Sequence, residues 1–409
     1  MKRTLLSVAP LLIGVAILLT GQGLQGTLLP VRANLEGFST LTIGLMGGAY
    51  FFGFTLGCLR GSTLVRKVGH VRVFAAMTAA ASAAPLIHGL WQEPWLWWLL
   101  RFVTGYCFAV LYVVIESWLN EQSTNETRGA VFSAYTLITL TVLAVGQQML
   151  LLYDPQQMAL FAIASAIVSL AAIPVVLSVA PSPAHTESQV KLDLRRLMRI
   201  SPAGALGCLA AGLANGSFWA LAPVFVLGFS SDVSLSAWFM TSAVLGGALG
   251  QWPLGFWSDR VDRRWVIAFT AMIGLVMGLL IWHFYSEVST LSLMLMSAAW
   301  GAVAFPMYAV SVANANDNAD PGEYVMISSG LLLMYGLGAI AGPFIAPMLM
   351  HLAGPGGLYL FASAVHLVLL IYMVYRIKLR AYESSTEHLP FSDSLASTQT
   401  ASHIYEEEM

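Results

Sequence analysis

Charge is what this sequence has least of. Only 10% of its 409 residues are Asp, Glu, Lys or Arg, and 57% are hydrophobic. An ordinary soluble domain carries about 25% charged residues. The deficit excludes a soluble enzyme, a nucleic-acid-binding protein and a disordered chain. Cysteine is also scarce. Cys58, Cys107 and Cys208 all fall in apolar runs without disulfide or metal spacing, and are assigned to packing. No phosphate loop, nucleophile triad or metal cluster is found, so no enzyme activity, cofactor or metal is expected. Alternating segments of ~10 residues, the mark of a membrane β-barrel, are missing too.

What the chain has instead is long apolar runs. A hydrocarbon core of ~30 Å needs ~20 apolar residues per spanning helix. Runs of that size fall near 6–30, 40–64, 71–91, 95–119, 128–152, 157–179, 202–228, 234–257, 264–285, 289–313, 324–350 and 356–379. They predict an all-α integral membrane protein with twelve transmembrane helices in two pseudo-symmetric halves. The halves are 1–180 and 201–380. A connector at 181–200 contains Val190 to Arg199, which reads as a short basic amphipathic helix on a membrane surface. The segment 381–409 is acidic and rich in Ser and Thr, and is expected to be disordered. Met1-Lys2-Arg3 before an apolar run resembles a signal peptide. The run reaches Pro30 without a clear small-x-small site, so an uncleaved first helix is expected.

Lys and Arg set the orientation. With both termini cytoplasmic, every Lys and Arg lies on the cytoplasmic side except Arg32, which lies outside, and Arg101, which lies inside the fourth run. An internal repeat is also visible. At an offset of 193 residues Gln22-Gly23 meets Asn215-Gly216, and Gly53 and Gly57 meet Gly246 and Gly250. From the fourth run onward the offset is 196: Gly105 meets Gly301, Tyr112 meets Tyr308, and Asn120-Glu121 meets Asn316-Asp317. Two parallel halves place a solute site between them near the midplane. The small-x-x-x-small glycines read as helix interfaces, and Pro306 as a kink in the tenth helix.

The loop after the eighth run, Gly255-Phe256-Trp257-Ser258-Asp259-Arg260-Val261-Asp262-Arg263-Arg264, resembles the signature of the major facilitator superfamily between helices 2 and 3. The first half has a degraded copy in which Ser62 replaces glycine and Arg66 stands where the family has aspartate. Arg101 to Gly105 is similar to the family's helix-4 pattern, and Gly338-x-x-x-Gly342-Pro343 lies in helix 11. Helix 5 reads Gly146-Gln147, without the proline associated with antiporters. The stretch from Arg101 through Glu116-Ser117 to Arg128-Gly129 resembles the YcaD-like branch. The resemblance implies alternating access and a multi-pass protein of the bacterial inner membrane. It also implies a monomer whose partners are a small-molecule solute, protons and the lipid bilayer, with no nucleic acid. In the family, the loop aspartate of each half caps a helix of the other half. Asp259 would thus approach the start of helix 5 near Arg128, while Arg66 would reach Asp320 or Glu323 at the start of helix 11; these residues and Arg260 are the candidate conformational gate.

Helix 4 carries the chemistry. Arg101, Gly105, Phe108, Tyr112 and Glu116 recur at helical spacing and share one face. A carboxylate at a helix centre costs ~2.5–3.5 kcal/mol on insertion scales. Glu116 is therefore read as a proton-coupling acid or, less sharply, as the partner of a loop arginine. Arg101 is read either as a proton-transfer or solute-binding residue facing helices 1 and 5, or as a fixed charge held by helix-end carbonyls. The two are ~22 Å apart along one helix and cannot pair directly. Gln22, Gln25, Tyr112, Tyr135, Gln147, Asn215, Trp219, Trp300, Tyr308 and Tyr335 are the candidate solute-binding residues, with interhelical packing the plain reading for each. Neutral amides and aromatics suit a neutral or amphipathic solute better than a polyanion, which would want several buried cations. The reading that results is a secondary active transporter for a small organic or amphipathic solute. It is proton-coupled, with export ahead of uptake. The alternatives are an uncoupled or lipid-handling member of the same fold, and a non-transporting membrane sensor or scaffold.

Overall fold

The computed structural model describes residues 2–123, 125–177, 193–319 and 323–379. Every regular element among them is helical. The chain divides into two compact units, Met1–Gln189 and Val190–Met409.

The first unit holds α1 (Lys2–Leu35), α2 (Thr40–Val68), α3 (His70–Leu90), α4 (Pro94–Glu121), α5 (Asn125–Gln148), α6 (Ala159–Leu170) and α7 (Ala172–Val176). A 3₁₀ turn, Met149–Leu152, extends α5. The second unit holds α8 (Leu194–Ile200), α9 (Pro202–Leu227), α10 (Val233–Ser258), α11 (Arg263–Phe284), α12 (Thr290–Ala304), α13 (Pro306–Asn316), α14 (Tyr324–Ala353) and α15 (Gly357–Leu379). Among the described residues, twelve helical spans are long and apolar enough to cross a membrane. In the sixth span α6 gives way to α7 at Ala171, and in the tenth α12 gives way to α13 at Phe305, immediately before Pro306. Pro306 has no N–H to continue the ladder, so the hydrogen bonding lapses there while the Phe305 backbone stays helical, with φ of −74° and ψ of −43°. The connector helix covers only Leu194–Ile200; residues 178–192 and the segment 380–409 lie outside the described residues.

Local chemistry sets the ends. Ser39, Asp232, Asp262 and Ser289 each accept a backbone N–H from the first turn of the following helix. Pro94 and Pro202 occupy first-turn positions, where a missing N–H costs nothing. Gly69 turns the chain between α2 and α3 with φ of 95°, a backbone region that favours glycine.

The repeat in the sequence is a repeat in packing. In the first unit α1 packs on α5, α2 on α4 and α3 on α6; in the second α9 packs on α14, α10 on α12 and α11 on α15. These are the same pairs six spans later. Glycine makes the closest of them. Gly53 lies against the Phe102 carbonyl and Gly105 against that of Tyr50; Gly246 and Gly250 face the carbonyls of Ala298 and Ala302, and Gly301 that of Ala243. A methyl group at any of these positions would collide with backbone. Lipid-like surroundings provide no hydrophobic drive between helices, so such close approach is what binds them.

Candidate functional site

The α2–α4 crossing builds the first cluster. Because Gly105 sits against the Tyr50 carbonyl, Arg101, one turn earlier on α4, reaches the Tyr50 ring. Its guanidinium carbon lies 4.2 Å from the ring centroid, a cation–π distance. Gln22 Nε2 on α1 donates to the Tyr50 hydroxyl at 2.9 Å. The Tyr112 hydroxyl on α4 donates to Gln22 Oε1, also at 2.9 Å. Phe54 lies between the two tyrosine rings, with centroids 6.1 Å from Tyr50 and 6.0 Å from Tyr112. One turn beyond Tyr112, Glu116 is 1% exposed and accepts from the Tyr135 hydroxyl of α5 at 3.4 Å. The shared face of α4 thus meets α2, α1 and α5 in succession.

Arg101 rests on Tyr50 of α2, whose hydroxyl in turn meets Gln22 of α1. Five predicted residues (Gln22, Arg101, Tyr112, Glu116, Tyr135) are brought together with one unpredicted residue, Tyr50. In the sequence Tyr50 begins the run Tyr50-Phe51-Phe52 and reads as core. The available signal was its place three residues before Gly53, on the interface face. Gln25 and Gln147 are buried in α1 and α5.

The second unit gathers aromatic rings where the first gathers charge. Asn215 Nδ2 donates to the Ala304 carbonyl at 3.3 Å, at the break before Pro306. Trp219 stacks on Phe305 with centroids 5.4 Å apart. Trp300 stacks on Phe218 at 5.1 Å, meets Tyr359 and His366 edge-on, and is fully buried. Those contacts make Trp300 a core residue and not a lining one. Tyr308 and Tyr335 pair edge-to-face at 5.0 Å.

The charges of the signature loop form a third group. Arg263, buried at the first position of α11, lies 3.3 Å from Asp259 Oδ1 and 2.9 Å from Asp317 Oδ2. Arg264 forks onto Asp262 at 2.6 Å. Arg260 covers the Phe256 ring at 3.3 Å and donates to the Phe256 carbonyl at 2.8 Å. Arg263 and Asp317 were not singled out as site residues. Arg263 stood in the quoted loop and Asp317 marked the repeat, but only the fold joins them. Arg66 donates to Thr63 Oγ1 at 3.2 Å. Glu323 is ion-paired with Arg196 of α8, whose Leu197 packs against Gly330 of α14. Asp320 and the side chain of Arg128 lie outside the described residues.

A chain whose described residues hold twelve apolar spans in two repeat units, with polar side chains joined inside the spans, is a multi-pass membrane protein. The sequence profile of the Major Facilitator Superfamily matches residues 11–230 and 204–401, and the chain belongs to that family. It is 26% identical over 366 residues to an uncharacterized MFS-type transporter of Yersinia pestis (strain Pestoides F), covering 89% of this chain and 94% of the relative. It is 27% identical over 371 residues to the uncharacterized MFS-type transporter YcaD of Escherichia coli O17:K52:H18, with the same coverage. Among solved structures it is similar to the nucleoside transporter NupG, with a TM-score of 0.76 at 13% identity, covering 91% of this chain and 99% of that one. It is also similar to a bacterial homologue of the human lysosomal transporter Spinster, with a TM-score of 0.72 at 15% identity, covering 91% and 96%. These structural likenesses establish the fold. Family and fold together make the protein a secondary transporter.

Proposed function

We propose that the protein couples the movement of a small organic solute to protons by alternating access of its two units. In this reading it is a monomer in the bacterial inner membrane with both termini in the cytoplasm. The observation that carries the proposal is the polar chain inside the spans of the first unit. Arg101, Tyr50, Gln22 and Tyr112 form one end, and Glu116 with Tyr135 the other. Charged residues inside a bundle are costly, and their usual use is on ion and substrate pathways. Glu116 can exist as a neutral acid or as a carboxylate stabilised by the Tyr135 hydroxyl, so it can load and release a proton. The tyrosines and the amide sit between it and Arg101, where solute occupancy and protonation can influence each other.

The test is proton movement in proteoliposomes containing a pH-sensitive dye. Small organic acids, amines, nucleosides and sugars are added in turn. At least one class should cause solute-dependent proton flux, and Glu116→Gln should abolish that flux while keeping solute exchange. Flux in no class, or full gradient-driven transport in Glu116→Gln, would overturn the coupling.

A further inference from the structure

The balance of donors and acceptors around Arg101 is uneven, and it points to a kind of solute. The guanidinium lies over the Tyr50 ring. Among the described residues no hydrogen bond or ion pair holds it. A ring face orients a cation without neutralising it. Arg101 therefore presents N–H donors and a full positive charge within a membrane span, and part of its surface remains open.

The neighbours add donors of their own. Tyr50 accepts from Gln22, so its own hydroxyl proton remains to be given. Gln22 uses one amide hydrogen on Tyr50 and keeps the second, while its carbonyl accepts from Tyr112. Turning the Gln22 amide over exchanges the two tyrosines' roles: one amide hydrogen is still to spare, and the spare hydroxyl proton is then that of Tyr112. Glu116 cannot supply the missing acceptor, since fifteen residues of α4 put it ~22 Å away along the helix.

We infer that the solute carries a single carboxylate, or an equivalent monoanion, bound by Arg101 with help from the Tyr50 hydroxyl and the Gln22 amide. The planar guanidinium matches a carboxylate with two parallel bonds, where an ammonium would act as a point charge. One arginine suits one negative charge. Tyr50, Phe54 and Tyr112 offer ring surface to an apolar body beside it. This inference rests on the transporter reading and narrows it to amphipathic monoanions.

The experiment titrates the purified full chain with matched probes and follows thermal stabilisation. The probes are benzoate with benzamide, phenylacetate with phenylacetamide, hexanoate with hexanamide, and phenethylamine as the cation. At least one carboxylate should stabilise the protein at a concentration about tenfold or more below its amide, the scale of a hydrogen bond to a charged group. Arg101→Gln should erase that preference, and Arg101→Lys should keep part of it. Equal binding of acid and amide, preference for the amine, no carboxylate response, or a preference surviving in Arg101→Gln would each overturn the inference. The wild-type comparison of acid with amide holds even if a variant fails to fold. A neutral or cationic probe that drives proton flux would overturn this inference and leave the transporter reading standing. A carboxylate that binds while no class of solute moves protons would overturn the proton coupling and leave this inference standing.

Discussion

The two units repeat one packing scheme but join their charged side chains at different levels of it. At the repeat offset, Arg101 corresponds to Ser297, Tyr50 to Ala243, Glu116 to Val312 and Tyr135 to Leu331. Only the neutral polar members persist, as Asn215 for Gln22 and Tyr308 for Tyr112. The loop end shows the reverse. The triad built on buried Arg263 in the second unit, Asp259, Arg263 and Asp317, corresponds to Arg66, His70 and Glu121 in the first. There His70 shares a 3.0 Å hydrogen bond with Ser117. Backbone interfaces are therefore kept in both copies, while the joined charge clusters differ. In the first unit Arg101 and Glu116 join polar groups inside the spans, and in the second the ion-paired group lies where the basic loop meets the helix ends. A repeat constrains packing more than it constrains charge, because the glycine contacts have no alternative and the polar groups do.

Breaking the triad is expected to have the largest effect on stability. Removing one partner from a buried ion pair leaves an uncompensated charge, at a cost of about 3–5 kcal/mol. Arg263→Ala should lower the melting temperature more than His70→Ala, which removes no charge partner and loses the hydrogen bond to Ser117, worth about 0.5–1.5 kcal/mol, with the edge contact to Trp118. Equal shifts would erase the contrast at the loop end. Next come the paired glycines. Gly105→Val and Gly301→Val should each cost about 1–3 kcal/mol by overpacking, but only Gly105→Val should also remove the carboxylate response, by pushing Tyr50 from Arg101. A smaller effect is expected from Tyr50→Phe. It keeps the ring under Arg101 and loses one hydroxyl, so binding should weaken by about 0.5–1.5 kcal/mol. The smallest belongs to Arg196→Ala. Its pair with Glu323 is exposed on the Arg196 side, and surface pairs contribute about 0–1 kcal/mol. A melting shift larger than that of Gly301→Val would show that α8 is a structural clamp on α14.

Much of this comparison was legible in the sequence. The runs and the repeat follow from hydropathy and glycine spacing, signals that helices in a bilayer cannot hide, since every backbone group must be satisfied within the helix. Glu116 and Arg101 stood out because ionisable residues inside apolar runs are rare. What pairs with them was not legible. Tyr50 looks like any aromatic in a span until the α2–α4 crossing brings it under Arg101, and Asp317 is one acid among several near helix ends until it meets Arg263 across the unit. Trp300 misled for the same reason: a tryptophan in the tenth span reads alike whether it faces a cavity or, as here, Phe218 and Tyr359. Partners of polar residues are set by tertiary contacts, which single-chain spacing does not encode.

The division of charge between the units is tested most directly by measuring solute-dependent proton flux and melting temperature together, in Glu116→Gln and in Asp317→Asn. The account predicts that Glu116→Gln loses proton flux with its melting temperature near that of the wild type, and that Asp317→Asn melts earlier yet still moves protons with solute. Retained flux in Glu116→Gln together with its loss in a stably folded Asp317→Asn would contradict it.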